Sequence, residues 1–263
     1  MARIPVDPTF DALVEFSHVS MSMPRRRRRR GSGRRQRLRR MAGEARREEV
    51  DVLVDVSFRV EPGEAVAIMG SNGAARQTLL RLVSGTLRPD AGEIRRREAI
   101  VPMIEVARSF ERRYSIRQNI YLVGGLLGMT PAQVEEHLPH IVETSEITIS
   151  LDRYLGATPS LVRQKLAWSI AMSVDAHAYA IDRTIVVGDA TFREQCWSHV
   201  DALRERGASF IVATDAPRLM RRFCSRGVVV SDGRIVVDAS MDEAVAAARE
   251  LRQTSRRSGE DPA

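Results

Sequence analysis

Apolar and polar positions alternate over residues 50–60 (VDVLVDVSFRV) and, more loosely, over 13–19, which is the two-residue period of half-buried strands. Short unbroken apolar runs occupy 65–69, 178–182 (AYAID), 209–214 (SFIVAT) and 227–231 (GVVVS). That pattern suits parallel strands covered on both faces. Between these runs the period becomes helical. A helix begins at 78–83, and a helical stretch spans 116–147 with interruptions at Gly124, Gly125, Gly128 and Thr130-Pro131. An amphipathic helix covers 162–174 and a last helix covers 241–253. Pro131 suits a first helical turn with Thr130 as its cap. The stretches 61–64 (EPGE) and 86–92 (TLRPDAG) are turn signals, and Asp232-Gly233 between two apolar runs predicts a hairpin. Strands alternating with helices predict one α/β domain over 1–263 with a mostly parallel sheet.

Composition agrees with a folded body. The chain has 263 residues and is 43% hydrophobic, enough for a large core. No apolar run approaches the ~18 residues needed to cross a bilayer, and no signal-peptide pattern opens the chain. Cys196 and Cys224 are at no metal-ligand spacing and read as reduced thiols of a cytosolic protein.

Charge changes the picture at one place. Residues 24–49 hold thirteen arginines and three glutamates, a local charge of +10; the whole chain carries +7, which leaves −3 elsewhere. Arginines at this density repel, and too little apolar surface accompanies them to bury, so 24–49 reads as a flexible insert and 254–263 as a disordered polar tail. Lys165 is the only lysine among 41 basic residues.

Residues 63–83 read as strand, phosphate loop and helix. The usual pattern is G-x-x-x-x-G-K-[ST]. Gly70 fills the first glycine, Ser71, Asn72, Gly73 and Ala74 follow, and Ala75 stands at the second. Arg76 takes the lysine position and Gln77 that of the magnesium-binding hydroxyl, while Thr78 is retained. Backbone N–H groups at Gly73, Ala74 and Ala75 still suit an anion. At a positive φ, Ala75 would cost about a kcal/mol. Arg76 keeps the charge, but a planar guanidinium does not enter an ammonium's pocket in the same way.

The order of segments resembles the ATP-binding subunits of ABC transporters, in the branch that exports capsule, O-antigen or teichoic acid. The resemblance rests on four stretches. They are VDVSF with EPGE (54–64), GSNGA (70–74), RQNIY with GLLGM (117–129), and ID with VGDATF and Cys196 (181–196). It implies a P-loop NTPase core of ABC-ATPase type, with an antiparallel β subdomain and an α-helical subdomain at 100–172. ATP and Mg2+ are the implied cofactors, with Asp182 toward magnesium. At the following position, where the family places a catalytic glutamate, stands Arg183, which cannot accept a proton from water. Asp215 replaces the switch histidine. The signature loop aligns with 158–162, where Pro159 lacks an N–H and a one-residue slip would put Ser160 at the serine position. Glu105 lies where a glutamine loop is expected, and Met21 or Met23 where an aromatic usually stacks on adenine.

The expected function is an ATP-binding-type subunit of a polysaccharide exporter with weak or absent nucleotide binding and hydrolysis. Its implied partners are an integral-membrane ABC permease and a second nucleotide-binding subunit, either a copy of itself or an intact ATPase paralogue. It would lie on the cytoplasmic face of the membrane, with Arg25 through Arg40 meeting anionic lipid. A non-hydrolysing scaffold of polysaccharide assembly is the second reading. Nucleic-acid binding ranks last, because the arginines carry no interleaved aromatics. His177 and His199 are read as structural or surface residues.

Overall fold

The computed structural model describes residues 5–24, 49–182, 188–216 and 220–257. Arg183 and the arginines from Arg25 to Arg40 lie outside the described residues.

Strands β1 (Val14–Pro24), β2 (Glu49–Val60) and β4 (Ala91–Arg96) form an antiparallel sheet in the order β2-β1-β4. Pro24 lies opposite Glu49, so the chain leaves β1 and enters β2 at the same end of the ladder. The second sheet joins β3 (Ala65–Gly70), β5 (Val101–Met103), β6 (Ala178–Ile181), β7 (Ser209–Ala213), β8 (Arg226–Ser231) and β9 (Arg234–Ser240). Its order is β5-β6-β7-β3-β8-β9, parallel except for β9. The β8–β9 turn places Asp232 at φ 48° and Gly233 at φ 75°, the paired left-handed conformation a tight hairpin requires.

The larger sheet separates two cores, and β3 feeds both. Ala65, Ala67 and Met69 pack on one face with Tyr179, Phe210 and Val229. Val66 and Ile68 pack on the other with Ala180, Ile211 and Val228, beneath helix α1 (Gly73–Val83) and the antiparallel sheet. Every residue of β3 is buried, which is why the run is continuous rather than alternating.

Between β5 and β6 the chain is helical: α2 (Ile116–Leu127), α3 (Pro131–Thr144) and α4 (Ser160–Met172). Thr130 caps α3 with Pro131 in its first turn, as the sequence predicts. Gly124 and Gly125 do not interrupt α2, which ends at Gly128 with φ 104°. A Cβ on Gly124 would lie 2.8 Å from the Val134 side chain, so the glycine permits close α2–α3 packing. The amphipathic expectation for 162–174 is corrected. Lys165 through Met172 are all buried, because α4 lies between the sheet and the other helices. Helices α5 (Ala190–Glu205) and α6 (Met241–Arg257) complete the fold, α6 running four residues past the predicted end. No helix among the described residues is long and apolar enough to cross a membrane.

Candidate functional site

Strand β3 ends at Gly70, whose φ is 145°. A Cβ there would fall 2.1 Å from the Val230 carbonyl oxygen, so only glycine fits this crossing beside β8. Ser71 and Asn72 turn the chain, and α1 begins at Gly73, five residues before the expected start at Thr78. The reason is Asn72. Its Oδ1 accepts the N–H groups of Ala74 at 2.9 Å and Ala75 at 3.2 Å, a helix N-cap. Asparagine before a helix is a readable cap signal, and it places the helix start ahead of the apolar period that begins at Thr78. Ala75 is helical, fully buried and absent from the positive-φ residues, so the condition for a cost there is not met.

Two cap hydrogen bonds therefore engage N–H groups that a phosphate would otherwise receive. Arg76 acts on the same loop: its guanidinium folds back and donates to the Gly70 carbonyl. Gln77 points elsewhere, with Nε2 donating to Glu105 Oε1 at 3.3 Å. Thr78, within the helix, is buried.

Glu105 is the hub of this region. It adopts a left-handed backbone, φ 50° and ψ 34°, an uncommon state for a residue with a Cβ. Arg108 Nη1 lies 2.7 Å from Oε1, and Arg81 Nη2 lies 3.6 Å from Oε2. The Glu105 amide donates to Asp182 Oδ2 at 3.2 Å. Asp182, at the end of β6, is buried. The fold thus brings Gln77, Glu105 and Asp182 together from three separate stretches of chain. Their convergence has no local sequence signal, since 28 and 77 residues separate the bonded pairs.

The other predicted positions are more dispersed. Thr214 follows β7, its amide donating to Ile68 O at 3.0 Å, and so sets Asp215 beside the end of β3. The Asp215 carbonyl accepts Arg252 Nη2 at 2.8 Å. Pro159 occupies the N-cap of α4 without a side-chain cap, and Ser160 is exposed in its first turn. The Arg163 guanidinium donates to the Thr158 carbonyl. Met21 and Met23 are half-buried on β1 against the antiparallel-sheet core.

At its far end, α1 is anchored by Arg96 of β4. Nε donates to Val83 O at 2.7 Å and Nη2 to Leu82 O, closing two terminal carbonyls with a buried cation. Burial lowers the Arg96 pKa to about 10.

The expectation that the Gly73, Ala74 and Ala75 N–H groups meet an anion is corrected for two of the three: Ala74 and Ala75 donate to Asn72, so an anion at this helix N-terminus would have to displace that cap. The residues present fit a magnesium-assisted hydrolytic set poorly. Gln77 brings an amide already bonded to Glu105, and Glu105 is held by two arginines. Among the described residues, no group of three or more His, Cys, Asp or Glu side chains forms a metal-ligand cluster. Cys196 and Cys224 are buried, and burial pushes both thiols up to about 12, which leaves them inert near neutral pH.

Comparison with known proteins bears on this arrangement. The ABC transporter family model matches residues 53–186. The ABC transporter protein AbcA of Aeromonas salmonicida is 29% identical over 185 residues, covering 70% of this chain and 60% of the relative, so this chain spans about three-fifths of that relative's length. The O-antigen export system ATP-binding protein RfbB of Klebsiella pneumoniae is 30% identical over 183 residues, covering 70% of this chain and 74% of that one. A solved dimeric structure of the ATP-binding cassette MJ0796, bound to ADP and Pi, superposes with a TM-score of 0.66 at 16% identity. That match covers 87% of this chain and 98% of the cassette. The strand–loop–helix at Gly70, the acid at the end of β6 and the helices between β5 and β6 are thus arranged as in an ATP-binding cassette, and the chain belongs to the ABC transporter family.

Proposed function

We propose that this chain is the nucleotide-binding-type subunit of an ABC exporter for a cell-surface polysaccharide, and that it is impaired in hydrolysis. The likeness to an O-antigen export subunit supports the cargo class. One observation carries the impairment: Arg76 and Gln77, at the positions that would face the outer phosphates and magnesium, are turned onto Gly70 and Glu105. Arg183 and Asp215 add to it by chemistry alone, since neither supplies the group its position calls for. The chain would work beneath a membrane permease, on the cytoplasmic face, and would pair with a second nucleotide-binding subunit, as the dimeric cassette does. An intact partner would then leave the pair with one competent site or none.

Calorimetric titration of the full chain with ATP, with and without magnesium, tests this reading together with a hydrolysis assay. The expected result is weak nucleotide binding with little dependence on magnesium, no transport-scale turnover, and no rescue by Arg183→Glu alone. Turnover at a transporter's rate, abolished by Asp182→Asn, would overturn it.

A further inference from the structure

Helix α4 carries the chain's only lysine, and it is buried: the Lys165 side chain is 6% exposed. Its ammonium donates to the Glu146 carboxylate and, at 3.0 Å, to Asp189 Oδ2. It also lies 4.8 Å from the centre of the Phe192 ring. The two carboxylates come from different places. Glu146 follows the end of α3 and is held at φ 55°, in the left-handed region. Asp189 is the N-cap of α5, where its Oδ1 accepts the Phe192 amide at 2.9 Å. Gly188, at φ 87°, packs so closely on Phe192 that a Cβ would meet that ring at 2.8 Å. A compact ammonium with three donors can serve two carboxylates and a ring face at once. A guanidinium is longer and planar, and here alone a chain with forty other basic residues, all arginine, uses lysine.

We propose that Lys165 is a positioning residue that ties the end of α3 to the start of α5, so that a displacement at Glu146 is delivered to Asp189 and the first turn of α5. Removing either acid leaves a buried cation half-compensated, which is costly. The remaining acid and the ammonium must then rearrange together. The link runs through one side chain and does not depend on whether nucleotide is bound or hydrolysed. Under the function proposed above, its use would be to carry a displacement of the helices between β5 and β6 to the first turn of α5.

Hydrogen–deuterium exchange of the full chain, read on peptides covering Asp189 to Arg193, tests the tie. Glu146→Gln alters no residue of α5, yet is expected to speed exchange at the Phe192 and Arg193 amides about tenfold, the scale of one lost charge-assisted hydrogen bond. Lys165→Met should do the same, and the double variant no more than Lys165→Met alone. If Lys165→Met fails to fold, Glu146→Gln and Asp189→Asn answer instead: each should speed exchange at the element bearing the other acid. Unchanged exchange at α5 in Glu146→Gln, or effects that simply add in the double variant, would overturn the proposal. A loss of ATP binding or hydrolysis in these variants has no bearing on it, so it stands or falls separately from the function above.

Discussion

The loop behind Gly70 and the cluster around Lys165 treat charge in opposite ways. At the loop the backbone is tightly specified: Gly70 has no room for a Cβ, and Asn72 fixes the first turn of α1. The outward side chains there, Arg76 and Gln77, bond to the protein itself. Around Lys165 the side chains carry the specification, because a buried ammonium must meet both Glu146 and Asp189. The loop therefore keeps its shape for reasons of packing, and packing sets no condition on the chemistry its side chains present. At Lys165, shape and chemistry are one requirement, since losing either half-exposed acid leaves the buried ammonium only half-compensated.

The largest way to break this contrast is at the loop's backbone. Gly70→Ala is expected to cost about 3 kcal/mol or more, because the added carbon meets the Val230 carbonyl at a φ that L-residues avoid. Urea unfolding measures it, and a near-neutral result would mean the crossing can relax. Next comes the far end of the same helix. Arg96→Met should remove about 2 kcal/mol by leaving the Leu82 and Val83 carbonyls unpaired, read as a fall in the thermal midpoint. The contrast sharpens if side chains at the loop can be exchanged freely. Arg76→Lys with Gln77→Thr is expected to leave stability unchanged within about 0.5 kcal/mol and to tighten nucleotide binding about tenfold by calorimetry, since a shorter cation releases the Gly70 carbonyl.

The smallest effect concerns pH. Burial holds the His199 pKa below its ordinary 6.5, aided by His140 and Arg206 and opposed by a bond to the Met172 backbone. The folded state therefore resists protonation that the unfolded chain accepts. This histidine costs no stability above pH 6.5, and stability falls as the pH drops below it. Between pH 7 and 5.5, the thermal midpoint of a His199→Phe variant should fall less than that of the parent protein.

How much of this could be read from the sequence depends on how far each interaction reaches. Strand β3 is legible because it feeds a different core on each face, which forces an unbroken apolar run, whereas β4 and the three-residue β5 carry no such run and have no counterpart among the sequence expectations. The cap and proline of α3 were legible because Thr130 and Pro131 act within one turn. Helix α4 reads as one-sided from sequence, since its eight consecutive buried residues include Lys165 and Ser169, whose burial depends on tertiary partners. The sequence leaves the φ of Ala75 open, and the structure places it within the helix that Asn72 caps. Position alone singles out Glu105 in the sequence, but its bonds to Gln77, Arg81 and Arg108 follow from a left-handed turn that no local pattern marks.

The facing of Pro24 and Glu49 across the first ladder has a practical consequence. Because the strands part and rejoin at one edge, the length of chain spliced between them bears little on their registry. Each doubling of such a splice costs only about 0.6 kcal/mol in closure entropy. That edge is a natural port for a fluorophore, an affinity handle or a shortened turn, leaving the nine described strands in place.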